Sequence, residues 1–454
     1  MFKMIDAGAF VLLSRLHRAG YQAYIVGGCV RDLLSGRTPK DWDICTDATP
    51  DETLSVFRDL HTIPTGLSHG TVTVRYADAS YEVTTFRADG DYTDFRHPDE
   101  VFFSSDLHTD LARRDFTINA MAYAPHTGLI DPFGGRGHLR ENILCCVGSP
   151  SQRFKEDALR VLRCLRFSAT FGLKIEHGTE QEILHHFDLL HMISKERIRD
   201  ELCKILLGKY ALPVFTRYPY VFTHIIPELY CCVGFQQRNL YHIYTVYDHI
   251  MHATANYTGN DLIVKLALFL HDIGKPLCYT EDERGGHFHG HGVVSRDLAE
   301  SVLTRLRFDN ATKNAVLELV LYHDSTIEPT PKVVRRWLSR IGDTQFFRLM
   351  EVRLADIRAH SMNNRMSRIK RCLELRRIAR EILNQPHCLT LKDLAIDGYE
   401  VMKEAIPEGR LVGLCLNHAL EQVINGTIPN EKYALLRTVR DFAMEYCSQH
   451  KDEI

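Results

Sequence analysis

No C-x-x-C pair occurs anywhere in the 454 residues. The thirteen cysteines are scattered, with doublets at Cys145-Cys146 and Cys231-Cys232, so neither a zinc ribbon nor a disulfide framework is implied. Reduced thiols in a cytoplasmic protein are the expectation. No apolar run approaches the length that spans a bilayer, so no membrane partner is expected. The opening MFKMIDAGAFVLLSRLHRAG has apolar residues at helical spacing and no signal-peptide cleavage pattern. Excess charge is also missing. A net charge of -3 gives no global attraction to nucleic acid, and any such binding must use a local basic surface. Internal repeats and low-complexity segments are absent too.

What is present is ordinary globular composition and an uneven distribution of pattern. The length allows two to four domains. HGTVTVRY and SYEVTTFR are short, alternating, β-branched runs about the polar tip Ala77-Asp78-Ala79, and predict a hairpin beside an opening strand. Beyond Pro150 the strands are expected to disappear. KEDALRVLRCLRFSATFG, ISKERIRDELCKILLG, LIVKLALFLHDIGKP and SRDLAESVLTRLRF all carry helical periodicity, and the last hundred residues look alike, broken at Pro386, Pro407 and Pro429. The expected class is α+β: a small mixed α/β head over 1–148, a helical neck over 149–235, a helical domain over 240–362 and a helical tail over 363–454.

The head holds the densest chemistry, in YIVGGCVRDLLSGRTPKDWDI, residues 24–44. Gly27-Gly28 follows an apolar strand and precedes a helical run starting near Cys29, where exposed amides attract phosphate; Arg31 adds a fixed cation. Asp41 and Asp43, one residue apart on an extended chain, point the same way, with Trp42 and Ile44 toward the core. Two like charges side by side need a cation between them. Oxygen ligands suit Mg²⁺, which completes its shell with substrate phosphates, and two such ions can clamp an in-line displacement. Glu82, in EVTTFR, is a candidate third carboxylate.

These residues carry a resemblance. VGGCVRDLLSGRTPKDWDI followed by RRDFTINAMAY (113–123), DPFGGRGHL (131–139), EDALRVLRCLRFSATFG (156–172), the ISKERIRDEL run and TLKDLAIDGYEVM resembles the class II tRNA CCA-adding enzymes and bacterial poly(A) polymerases, over essentially the whole chain. The resemblance implies a polymerase-β type nucleotidyltransferase head with Asp41 and Asp43 as Mg²⁺ ligands. It implies Gly28, Arg31 and Arg114 at the nucleotide triphosphate, Asn119 near the sugar, and Asp115 holding the local turn. It also implies that Asp157 and Arg160 stand in for a template strand while Arg163 and Arg166 meet the triphosphate.

Helical projection of that last segment puts Ala158, Leu162, Leu165 and Ala169 on a core face, with Asp157, Arg160, Arg163 and Arg166 turned away. A carboxylate only accepts hydrogen bonds and a guanidinium only donates. Facing Asp157, the amines of cytosine and adenine are satisfied, whereas the carbonyls of uracil and guanine meet an acceptor, at a cost of about 1–3 kcal/mol per unsatisfied group. The implied reaction is addition of C, C and A to the tRNA 3′ end from CTP and ATP, with pyrophosphate released. The loop FRADGDYTDFRHPDEVFF (86–103), with Arg87, Asp89, Tyr92 and Asp94 in order, and TGLSHGTVTV (65–74) resemble complete CCA-adding enzymes. A-only addition and polyadenylation are the alternatives.

A second constellation is His249, His271-Asp272 and Asp356, with His291 and His323 between. In this order the four resemble the ligands of the HD metal-dependent phosphohydrolases, and imidazole suits a divalent transition metal. An HD phosphohydrolase with an inactive head is the alternative of another class. A tRNA acceptor arm is the expected partner, bound by shape and backbone contacts, and DNA is not expected. KVVRRWLSR and NNRMSRIKRCLELRRIAR supply local positive charge.

Overall fold

The structure, a computed structural model, describes residues 5–89, 101–283 and 285–449. Tyr92 and Asp94 of the expected loop lie outside the described residues. The chain separates into two compact units, one reaching Pro227 and including Arg305–Arg307, the other formed by Glu228–Thr304 and the chain from Phe308 onward.

The first unit opens with α1 (Ala7–Arg18), capped by the Asp6 carboxylate on the amides of Gly8 and Ala9, with Leu12, Leu13 and Leu16 buried. There follow β1 (Ala23–Val26), α2 (Gly28–Leu34), β2 (Asp43–Thr46), α3 (Pro50–Val56), β3 (His61–Gly66), β4 (Thr71–Tyr76) and β5 (Ala79–Thr85). A ribbon of β6 (Arg87–Asp89) and β7 (Val101–Phe103) leads to α4 (Leu107–Ala112), then β8 (Ala122–Ala124), β9 (Gly128–Ile130) and α5 (Gly135–Glu141). The seven-stranded sheet runs β3-β4-β5-β2-β1-β8-β9. The expected hairpin exists, with Tyr76 opposite Ala79 and Ala77 in the left-handed region at φ 51°. Its place differs from the expectation: β5 lies parallel to β2, not beside β1. Ile44, Cys45 and Thr46 of β2 are all buried, so β2 needs a neighbour on each side and takes the centre of the sheet. Trp42 and Ile44 belong to the core cluster under the sheet, as their alternation with the aspartates requires.

The helical part of this unit is α6 (Pro150–Glu156), α7 (Leu159–Phe171), α8 (His177–His186), α9 (Lys195–Leu206), α10 (Ala211–Arg217) and α11 (Pro219–Ile225). The single helix expected through Asp157 is two. Asp157 leaves helical geometry (φ -141°, ψ 102°) and its Oδ1 accepts the Leu159 amide at 3.1 Å, the local side-chain bond by which Asp interrupts helices. Ala158, Leu162, Leu165 and Ala169 are fully buried, as projected. Strands do return beyond Pro150, in short form: Ile143–Leu144 pairs with Lys174–Ile175, and Thr280–Asp282 with Gly285–His287.

The second unit contains α12 (Val246–Asn256), α13 (Leu262–Leu270), α14 (His291–Arg305), α15 (Asn310–Tyr322), α16 (Pro331–Ala359), α17 (Arg365–Leu383), α18 (Gly398–Met402), α19 (Arg410–Asn425) and α20 (Lys432–Gln449). α13 is buried from Val264 to Leu270, so even Lys265 must turn its ammonium onto the carbonyls of Thr254 and Tyr257 at 2.7 and 2.6 Å. Desolvation pushes that amine down to about 8. The closing helices have a small core of their own around Val401, Cys415, Ala419, Leu435 and Val439. Pro386, Pro407 and Pro429 fall between helices, where the missing N–H costs nothing. Among the described residues no helix is long and apolar enough to cross a membrane.

Candidate active site

The turn after β1, the residues leading into β2, the Arg113–Asn119 segment and the α6–α7 junction converge on a cleft of about 610 Å³. Gly28, Arg31, Asp41, Asp43, Arg114, Asn119, Asp157, Arg160, Arg163 and Arg166 all line it. Glu82 does not line it. It stands on β5 opposite Asp43 in the parallel register, exposed at the same end of the strands. Gly27 turns the chain from β1 into α2 at φ 76°, and a Cβ there would come within 3.0 Å of Arg114 Nη1.

Charge in the cleft is arranged, not merely accumulated. Burial pushes the Asp43 carboxyl up; Glu82 and Asp41 push it further, and Arg114 opposes them. Three acidic groups thus crowd one corner with a single nearby cation set against them. The arginines are each held by a carboxylate: Arg31 by Asp32 at 2.8 Å, Arg114 by Asp110 at 3.0 Å, Arg160 by Glu156 at 2.7 Å, Arg163 by Asp115 at 2.5 Å and Arg166 by Glu201 at 2.7 Å. Phe167 and Phe171 support them from below, with Arg166 4.2 Å from the Phe167 centroid and Arg31 4.7 Å from that of Phe171. Asp115 does hold its turn: Oδ1 accepts from the Phe116 amide and Asn119 Nδ2, and Oδ2 from Arg163. Burial would raise its carboxyl, but Arg163 and Asn119 outweigh burial and hold it at about 2. Asn119 passes the order on, its Oδ1 accepting from Arg31 Nη1 at 2.8 Å.

The second unit has a cavity of about 790 Å³ around Asp272 and Asp356. His249 Nε2 lies 3.3 Å from Asp272 and 2.9 Å from Asp356; His271 Nε2 lies 3.2 and 3.6 Å from the same pair. The four residues named from sequence therefore meet. His291 and His323 join them, at 3.3 and 3.5 Å from the other Asp272 oxygen. Burial alone would raise both carboxyls, yet His271 and Lys275 hold Asp272, and His360 and His249 hold Asp356, well below the usual range. His271 Nε2 and the Asp272 oxygens are buried without a hydrogen bond of good geometry among the described residues, which suits them as ligand atoms for a cation. The ring tautomers agree. His271, His291 and His323 each put Nδ1 on the carbonyl three residues earlier, at 2.7, 2.8 and 2.7 Å, so that, in the neutral ring a ligand requires, Nε2 is the atom left to meet a metal. His360 is the opposite: its Nδ1 accepts from Arg368 Nη1 at 2.5 Å, so in the neutral ring Nε2 carries the proton.

Known proteins resemble this chain over nearly its whole length. The family described as "Poly A polymerase head domain" matches residues 23–145, "Probable RNA and SrmB- binding site of polymerase A" matches 172–230, and "HD domain" matches 239–360. The CCA-adding enzyme of Lactobacillus delbrueckii subsp. bulgaricus is 34% identical over 431 residues, 94% of this chain and 96% of the relative. The chain belongs to the CCA-adding enzyme family. A relative from Geobacillus thermodenitrificans, of the same name, is 46% identical over 203 residues, 45% of this chain and 50% of its own. Among solved structures, the Bacillus stearothermophilus CCA-adding enzyme in complex with CTP shares 27% identity with a TM-score of 0.68, covering 99% of this chain and 100% of that one.

Several residues of this CCA-adding family member escape a reading of its sequence. Arg197 sits in the quoted ISKERIRDEL run, yet nothing local shows that its Nη2 meets Asp157 Oδ2 at 2.9 Å. Arg113 also lines the cleft; the Arg-Arg doublet was its only signal. In the second unit Lys275 pairs with Asp272 at 2.6 Å, which the i, i+3 spacing in HDIGK could have suggested. His242, edge-on to His249, and His360, stacked on it, had no sequence signal beyond being histidines. The basic run at 363–380 is not simply a solvated face, because Arg368 and Arg371 line the histidine cavity. In the other run, Arg335 and Arg336 bond the end of α19 through Ile424 O and Asn425.

Proposed function

We propose that this protein is a template-independent tRNA nucleotidyltransferase that adds C, C and A to the tRNA 3′ end from CTP and ATP in the cytoplasm. The observation that carries the reading is the meeting, in one cleft, of the Asp41/Asp43 pair with an arginine wall and the Asp157 carboxylate at its side. Asp41 and Asp43, with Glu82 beside them, form a hard oxygen donor set of the kind that holds Mg²⁺. When bound, the ion supplies charge neutralisation at the phosphates and lowers the pKa of the attacking hydroxyl.

The chain's own residues do the rest. Gly27 and Gly28 let a triphosphate approach the start of α2, where Arg31 and Arg114 stand in fixed poses. Arg163 and Arg166 extend the same positive wall. Asp157 accepts the base amine, and Arg160, lining the same cleft, stands with it in place of a template strand. The 3′-hydroxyl oxygen attacks the α-phosphorus in line, the bond from that phosphorus to the bridging oxygen breaks, and pyrophosphate leaves. Positioning and charge account for most of the rate, and no side-chain base is required.

A direct test incubates the protein and magnesium with tRNA lacking its last three nucleotides, supplying labelled CTP, ATP, UTP and GTP singly and together. Ordered incorporation of C, C and A is expected. A-only extension of a tRNA already ending in CC would mean an A-adding enzyme, and long A tails a poly(A) polymerase. The histidine cavity favours a second reading alongside the first. His249, His271, Asp272 and Asp356 would hold a divalent transition metal, with His291 and His323 available to another, and Lys275 and Arg368 suit an anionic phosphoester. Release of phosphate from a phosphomonoester by protein whose head carries Asp43→Ala tests it.

A further inference from the structure

We propose that His287 and His289 form the port through which a divalent transition metal enters the histidine cavity: two imidazoles at its mouth that capture the ion from solvent and pass it inward to His291. The inference rests on the metal-binding reading of that cavity, and adds the route by which it is filled.

A route is needed because the inner ligand set is closed. Asp272, His249 and His271 are almost wholly buried, so an ion must exchange its water for protein ligands before it reaches them. The cavity that leads there carries its charge unevenly. Arg368 and Arg371, from α17, line it and repel a free cation. His287, His289 and the exposed Asp324 line it as well, and offer lone pairs and a negative charge. Electrostatics therefore separate two approaches: an anionic phosphoester is drawn to the arginines, and a metal ion to the histidines.

The stretch GGHFHGH, with His287, His289 and His291 at alternate positions, builds the port. The His287 and His289 rings stack with centroids 5.6 Å apart and planes at 9°. Phe288, between them, packs instead on Tyr279 and Phe235 at 5.5 and 6.5 Å, and the Gly286 amide donates to Arg238 O at 2.9 Å, so the segment is pinned. His287 Nε2 lies 2.9 Å from Asp282 Oδ1. With the proton of the neutral ring on that nitrogen, Nδ1 keeps the lone pair for a metal, and the carboxylate makes it a better donor.

Exposure falls along the same path: His289 is exposed, His287 half-buried and His291 buried. His291 already stands inside, its Nε2 3.3 Å from Asp272 and 3.1 Å from His323 Nε2. Among the described residues, none of the groups whose ligand atoms converge closely enough to hold an ion includes His287 or His289. Two imidazoles without a converging third ligand bind an ion weakly and let it go. A relay needs that weakness; a storage site does not.

The test is metal uptake by the full-length chain after a chelator has stripped it. Co²⁺ is the probe, its visible absorption the signal, and excess Mg²⁺ fills the head. Native protein is compared with His289→Gln, with the double variant His287→Gln/His289→Gln, and with Asp272→Asn, which removes an inner ligand and assigns the signal to the cavity. The double variant is expected to take up Co²⁺ about tenfold more slowly, and to release it to a chelator about tenfold more slowly, while equilibrium affinity stays within about threefold. Equal slowing in both directions marks a port, because a residue that only carries the ion in also carries it out. A larger loss of affinity would make the two histidines ligands, and uptake within about twofold of native would leave them no part in entry. Either result overturns the inference. Native protein that gives no Co²⁺ signal, or Asp272→Asn that keeps it in full, would overturn the metal-binding reading itself and the inference with it. Thermal melts accompany each variant; should the double variant fail to fold, His289→Gln, at an exposed position, decides by the same uptake and release rates.

Discussion

The two cavities both set acidic groups against cations, and use them in opposite ways. In the head the acids lie at the edge of an open cleft, Asp41 and Glu82 exposed, with oxygen as the only ligand atom. In the second unit Asp272, His249 and His271 are at most 1% exposed, and nitrogen dominates. An open oxygen site shares its cation with an incoming triphosphate; a closed imidazole site retains its own. The lesson is that burial and donor type, more than the count of charges, separate a metal that arrives with substrate from one that stays.

The comparison breaks most visibly if the head acids are removed. Asp43→Ala is expected to lower nucleotide incorporation by at least about a thousandfold while leaving the protein's capacity to bind a transition metal unchanged. Elemental analysis of the variant beside a labelled-CTP assay reads both. The reciprocal substitution, Asp272→Asn, is expected to lower bound transition metal several-fold while incorporation, at saturating magnesium, stays within about twofold. Loss of both functions from either variant would mean that the sites are not independent.

Selectivity comes next in size. Asp157→Asn should reduce the preference for CTP over UTP by about 10- to 100-fold, read as the ratio of kcat/KM values. Stability sharpens the head side of the comparison. Asp115 is held at about 2, against an ordinary value near 3.8, so its ionised form favours the folded state. That contribution, about 2 kcal/mol, is present above the unfolded value and is lost as pH falls from about 4 toward 2. Urea melts of Asp115→Asn should therefore show a deficit of about 2 kcal/mol at pH 7 that narrows as the pH falls through that window. The smallest effect belongs to the basic run on α17. Because Arg368 faces the histidine cavity, Arg368→Met should change tRNA affinity by less than about threefold in a filter-binding titration at fixed salt.

The head was legible because its chemistry is local in sequence. Asp41 and Asp43 share a face by strand alternation, and the core face of α7 follows from helical spacing, so both could be placed before any coordinates. Legibility failed where a side chain overrode its element or reached across the chain. Asp157 took the Leu159 amide and split a helix that periodicity ran together. The placing of β5 beside β2 is a tertiary choice that a hairpin pattern does not encode. The second site was half legible: the His271-Asp272 doublet pointed to it, whereas His360 and Arg368 are joined only by packing of α16 against α17. The partnership of Arg197 with Asp157, across forty residues, had no local signature at all.

The most direct measurement is a crystal structure of the protein soaked with magnesium and a nonhydrolysable CTP analogue. The ion is expected on the Asp41 and Asp43 carboxylates, with the triphosphate along Arg31 and Arg114 and the cytosine amine at Asp157. Magnesium and nucleotide seated away from these two carboxylates, in the histidine cavity or elsewhere, would contradict the account.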